Sequence, residues 1–76
     1  MLKELNEKQE FDYMSNNVNS LLNKLYFNNY NQIQIANKLR VTDRAVRNWE
    51  NGECLPNLKL YFRLVRLCKE IEALKH

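Results

Sequence analysis

The stretch QIQIANKLRVTDRAVRNWENG, Gln32 to Gly52, decides the fold. Ile35, Ala36 and Leu39 fall on one helical face, and after a short turn at Arg40-Val41 the helical spacing resumes with Val46 and Trp49. Asn31 is placed to cap the first of these helices and Thr42 the second. Asp43 in the first turn of the second suits the positive end of its dipole. Asn51-Gly52 stops that helix, because glycine accepts the left-handed backbone that closes one. Two short helices joined by a tight turn are therefore expected. Ala36 is small where they must approach, and Ile35, Leu39, Val41, Val46 and Trp49 supply the interior that fixes their crossing. Asp43, Arg44, Arg47 and Asn48 are left on the outer face of the second helix.

Upstream, Val18, Leu21, Leu22 and Leu25 repeat the i, i+3, i+4, i+7 spacing of a helix opened by Ser15 as N-cap, and Asn28 to Asn31 interrupt it. Downstream, Pro56 and the cap Asn57 open a last helix whose apolar spacing continues to Leu74. Residues 1–14 are read apart from the 15–76 domain, as a short helix or arm: Leu2 and Leu5 suggest a helical turn, while Phe11, Tyr13 and Met14 fit no single face. One glycine, one proline and an apolar fraction of 45% favour helices over turn-rich sheets. The expected fold is all-α, a compact bundle of four to five helices, small enough to gain from a partner subunit.

The net charge of +3 is unevenly spread: residues 1–20 carry −2, 21–48 carry +4 and the remainder +1. The middle of the chain is where a polyanion is expected to dock. Cys54 and Cys68 have no second cysteine or histidine at ligand spacing, so neither a metal site nor a disulfide framework is expected, and both read as reduced thiols of a cytoplasmic protein. No apolar run approaches a membrane span, and MLKELNEKQE lacks the apolar core of a signal peptide. His76 is the sole histidine; there is no nucleophile with a base, no paired carboxylates and no phosphate-cradling glycine loop. Catalysis, a cofactor and a small-molecule substrate are not expected.

The same stretch resembles the phage repressor and Cro-like helix-turn-helix family, on Gln32, Ala36, Val41, Thr42, Val46, Trp49, Glu50, Asn51, Gly52 and Pro56; with the flanking helices the resemblance covers roughly residues 17–70. It implies a lambda-repressor-like fold with a central helix-turn-helix and sequence-specific binding of double-stranded DNA by a transcriptional regulator. The TDRAVR core before a long last helix also looks like the small autorepressors that accompany anti-CRISPR genes in phages and mobile elements. Carried over residue by residue, the resemblance implies base contact at Asp43, Arg44 and Asn48, and at Arg47 a base or a phosphate. Phosphate contact is implied at Gln32, Asn31, Thr42 and Asn51. Two positions depart from the family: Arg40 stands where the turn usually has glycine, and Glu50, often paired with an arginine of helix 1, is offered only Lys24 there. The competing reading is a protein-binding module, an antitoxin or an inhibitor built on the same fold; a basic outer face on the reading helix argues for DNA.

The last helix carries two apolar stripes where a monomer needs one. Leu58, Tyr61, Phe62, Val65 and Cys68 are expected to pack on the rest of the domain. Leu60, Leu64, Leu67, Ile71 and Leu74, spaced 4, 3, 4 and 3, make a short heptad seam for a second copy, so a homodimer on a palindromic operator is expected. The alternative buries this second stripe inside the domain itself, through a helix that bends back after Cys68.

Overall fold

The computed structural model describes residues 6–74, so the expected turn at Leu2 and Leu5, and His76, lie outside the described residues. Four helices, α1 (Glu7–Phe27), α2 (Gln32–Leu39), α3 (Asp43–Glu50) and α4 (Leu58–Leu74), make an all-helical bundle with no strand among the described residues. The short helices α2 and α3 pack on each other, α3 also on α1, and α4 on both α1 and α2.

The first helix begins earlier than Ser15. Asn6 is its N-cap: its side chain accepts from the Gln9 N–H at 2.8 Å while the Gln9 side chain accepts from the Asn6 N–H at 3.0 Å, a reciprocal capping box. Glu7 and Glu10 sit in the first turn and Lys24 in the last, each at the end of the dipole that favours it. One continuous helix thus crosses position 14, and within the described residues no separate arm precedes the domain. Ser15 is instead buried in mid-helix, with its Oγ 3.4 Å from where a β-carbon on Gly52 would stand. Its small side chain lets the loop after α3 approach α1.

Asn31 caps α2 with a second capping box through Gln34, Thr42 Oγ1 accepts from the Ala45 N–H at 3.1 Å, and Asn57 Oδ1 accepts from the Leu60 N–H at 2.9 Å. Helix α2 ends on Arg40 at φ 59°, ψ 45°, in the left-handed region, and the Val41 N–H reaches back to the Ala36 carbonyl at 2.9 Å. The turn is the usual left-handed closure with an arginine in the glycine position. Helix α3 closes through Gly52 at φ 74°.

Val18, Leu22 and Leu25 of α1, Ile35, Ala36 and Leu39 of α2, Val46 and Trp49 of α3, and Leu64, Leu67, Cys68 and Ile71 of α4 form one core. Trp49 is core, as its phase with Val46 implies. The inward face of α4 combines parts of both expected stripes: Tyr61 and Cys68 pack on the domain as expected, but most of the second stripe joins them. Leu64, Leu67 and Ile71 are buried and Leu60 packs against them, whereas Leu58 and Phe62 are exposed and Leu74 is 86% exposed. The seam is thus largely the inward face of one helix that continues unbroken past Cys68 to Leu74. The physical reason lies in how each stripe continues. The Leu58, Phe62, Val65 line runs on into Lys69 and Glu72, so turning it inward would bury two charges, whereas the Leu60 to Ile71 line stays apolar throughout. Asn17 Nδ2 donates to the Tyr61 hydroxyl at 2.7 Å and Lys24 pairs with Glu72 at 3.5 Å, fixing α4 against α1.

Candidate nucleic-acid interface

Helix α3 separates its side chains sharply. Val46 and Trp49 are buried, while Thr42, Asp43, Arg44 and Arg47 are exposed and Asn48 is half-buried. Arg44 is in none of the ion pairs among the described residues. Arg47 pairs with Asp43 one turn away, Nη2 to Oδ2 3.6 Å, an exposed i, i+4 contact worth about 0.5 kcal/mol or less, so Arg47 is readily released.

The N-terminal turn of α2 lies beside this face. Asn31, Gln32, Ile33, Asp43 and Arg47 line one open cleft, with Tyr26 and Tyr30 behind them. Gln32 is tied to the far end of α3: its Nε2 donates to Glu50 Oε2 at 3.2 Å. An amide nitrogen carries two N–H groups, so one remains for an anion while the other is held. Asn51 is exposed immediately after α3, one residue beyond the Glu50 that holds Gln32. Asn31 and Thr42 each spend a side-chain oxygen on a cap, which leaves the Asn31 Nδ2 and the Thr42 hydroxyl proton as donors. The structure therefore brings Asn31, Gln32, Asp43 and Arg47 into one cleft, with the cap Thr42 and, on α3, Arg44 and Asn48 adjoining in the chain; Asn51 does not line it. Of the residues assigned to a dimer seam, Leu64, Leu67 and Ile71 are core, Leu60 is half-buried, and only Leu74 is free.

Glu50 is the participant the sequence left without a partner. Lys24 turns to Glu72, and Glu50 takes Gln32 from α2, while Asn19 Nδ2 of α1 donates to the Glu50 carbonyl at 3.3 Å. Its second carboxylate oxygen, Oε1, is buried without a hydrogen-bond partner, and this loss of solvent pushes the carboxyl above its ordinary value. Glu50 thus orients Gln32 at some electrostatic cost. Eighteen residues separate the two, and no local periodicity could have paired them. Tyr26 is a further participant without a sequence signal: it backs the cleft with a buried hydroxyl that has no partner.

Nothing in the described residues supplies a metal-binding cluster of histidine, cysteine or acidic side chains, and no helix among them is long and apolar enough to cross a membrane. Cys54 is exposed in the loop before α4; Cys68 is buried and points its thiol at the Leu21 carbonyl, 3.4 Å away. A scan against protein-family models, a search of curated proteins and a search of solved structures each find no match to this chain.

Proposed function

We propose that this chain is a sequence-specific DNA-binding transcriptional regulator of the helix-turn-helix type, lambda-repressor-like in fold, acting as a homodimeric repressor on an inverted repeat, with α3 as the reading helix. The observation that carries the reading is the division of α3 into a buried face, Val46 and Trp49, and a polar outward face, Asp43, Arg44 and Arg47, with Asn48 at its edge. Eight residues make a rod about 12 Å long, and the major groove of B-DNA, about 12 Å wide, admits one such helix. In this reading Arg44 donates two parallel hydrogen bonds to guanine O6 and N7. Asp43 either accepts from cytosine N4 or serves the helix dipole. Gln32, with Asn31, Thr42 and Asn51, positions the protein on phosphates, which fixes register without reading sequence. The two-fold arrangement is taken from the resemblance, since a palindromic site mirrors a two-fold protein. It no longer has the Leu60 to Ile71 seam to rest on.

The test is selection of binding sites from a randomised duplex pool, followed by anisotropy titrations. Wild type should enrich an inverted repeat, and Arg44→Ala should lose about 1–3 kcal/mol on it, roughly 5- to 150-fold, with preference flattened at one base pair of each half-site. Gln32→Ala should weaken selected and random duplexes alike. No enrichment, or an Arg44→Ala protein that selects the same site with the same affinity, would remove α3 as the reader.

A further inference from the structure

Among the described residues, a strongly electropositive concavity lies away from α3. Between the C-terminal end of α2 and the outer flank of α4 lies a cleft of about 410 Å³ walled by Lys38, Arg40, Arg63 and Arg66, with Glu70 its one acidic side chain. Its excess of three positive charges equals the net charge of the whole chain. The α3 face, by contrast, sets Arg44 and Arg47 against Asp43 and neutralises one of them internally. None of the four cleft cations is in an ion pair among the described residues, although Lys24 and Arg47 each find one.

A purely structural role accounts for part of this cluster. Cations at a helix C-terminus are favourable, and Arg63 Nη1 donates to the Leu39 carbonyl at 3.5 Å, meeting one of the orphan acceptors of α2. That contact uses one of five guanidinium donors and leaves Arg66, one turn further along α4, unexplained. Leu39 and Leu67 at the floor are 1% and 7% exposed, so the cleft surface is made mostly by the cationic side chains themselves, their aliphatic stems as well as their charged heads. A phosphodiester asks only for charge and N–H donors, and four cationic side chains supply both. The place is also telling: Arg40 stands two residues before Thr42, the cap of α3, so the cleft adjoins the end of α3 proposed to enter the groove.

We propose that this cleft is a second DNA-backbone site, in which Lys38, Arg40, Arg63 and Arg66 take phosphates flanking the base pairs read by α3. The inference rests on the DNA-binding reading above and adds affinity to it without adding sequence information. Each phosphate neutralised contributes about 0.9 to the slope of log affinity against log salt. With affinities converging at about 1 M salt, removing one such cation from its phosphate weakens binding at about 0.1 M roughly eightfold.

The experiment measures duplex binding from about 0.05 to 0.3 M salt for wild type, Arg66→Gln, Arg63→Gln/Arg66→Gln and Glu70→Gln, on the selected site and on a random duplex, with circular dichroism confirming the fold. Arg66→Gln should lower the slope by about one and the affinity on both duplexes equally. The double variant should do so about twice over, and Glu70→Gln, which removes the lone opposing charge, should tighten binding several-fold. Should the double variant fail to fold, Arg66→Gln and Glu70→Gln carry the test, since neither touches the Leu39 carbonyl. A wild type that binds DNA with slope and affinity unmoved by Arg66→Gln and Glu70→Gln overturns this site alone. A poly-glutamate peptide that outcompetes random duplex at equal salt, and loses to Arg66→Gln, assigns the cleft to a protein partner and overturns it too. A wild type that binds no duplex overturns the DNA reading itself.

Discussion

Replacing Arg40 tests the turn on which the placement of α3 depends. Arg40 holds φ 59°, ψ 45° because the Val41 N–H must reach the Ala36 carbonyl to close α2. A side chain with a β-carbon costs about 1–2 kcal/mol in that conformation. Glycine avoids this cost but gives up about 0.4–1 kcal/mol through the greater freedom of its unfolded chain. Arg40→Ala keeps the β-carbon and loses the cation at the C-terminus of α2; Arg40→Gly loses both. Their difference therefore isolates the backbone conformation, and Arg40→Gly should be the more stable by about 1 kcal/mol, roughly 4–8 °C in Tm for a domain of this size. At Lys38, exposed inside the last turn of α2, the order should reverse, alanine over glycine by about 1 kcal/mol. Thermal and urea unfolding followed by far-ultraviolet circular dichroism and Trp49 fluorescence measures all four variants. An Arg40→Ala protein as stable as Arg40→Gly would show that the turn carries no such strain and that the reasoning is wrong.

Three further outcomes follow from the packing. Leu67→Glu puts a carboxylate into the core rather than onto a free seam, so it should cost about 4 kcal/mol or more and unfold the chain, seen as loss of helical dichroism rather than as a folded monomer in light scattering. Burial holds the Glu50 proton more tightly in the folded than in the unfolded chain, so its contribution to stability is present in acid and lost as pH rises from about 4.5 through the raised folded value. The stability of Glu50→Gln relative to wild type should therefore climb with pH and level off by neutrality; a gap constant from about pH 4 to 7 would contradict this. Cys54 is exposed while burial raises the Cys68 thiol, partly offset by Lys24 and reinforced by Glu72, so a disulfide reagent should titrate one thiol in the native protein and a second only in denaturant.

What can be read from sequence is what local spacing encodes. Asn31, Thr42 and Asn57 each precede their helix by one residue and cap it, and Gly52 closes α3, because these effects act over three or four residues. The start of α1 escapes this reading although Asn6 and Gln9 stand at capping-box spacing. The obstacle is Ser15. Phe11, Met14 and Val18 continue the inward line toward Leu22 and Leu25, but a buried serine interrupts it where an apolar residue would be expected. Its reason lies 37 positions away, in the approach of Gly52, and no local pattern carries such a contact.

The inward turn of the second stripe on α4 has the same origin and a further consequence. Both stripes satisfy helical spacing, so periodicity alone cannot say which faces inward; the decision falls to the residues at the far end of each, where Lys69 and Glu72 must keep water and Ile71 need not. Once the Leu60 to Ile71 line is spent on the core, a heptad seam can no longer be the argument for a partner. The case for DNA then rests on side chains that folding leaves with unspent donors. Arg44 has no ion-pair partner among the described residues, Gln32 keeps one N–H beyond the one Glu50 holds, and four cations gather beside the α2–α3 turn without a counter-ion pair there. A surface evolved only to stay wet gains nothing from concentrating its excess charge in a concavity, where the cations repel one another most. A polyanion offers the return for that repulsion, and the salt slope measures it.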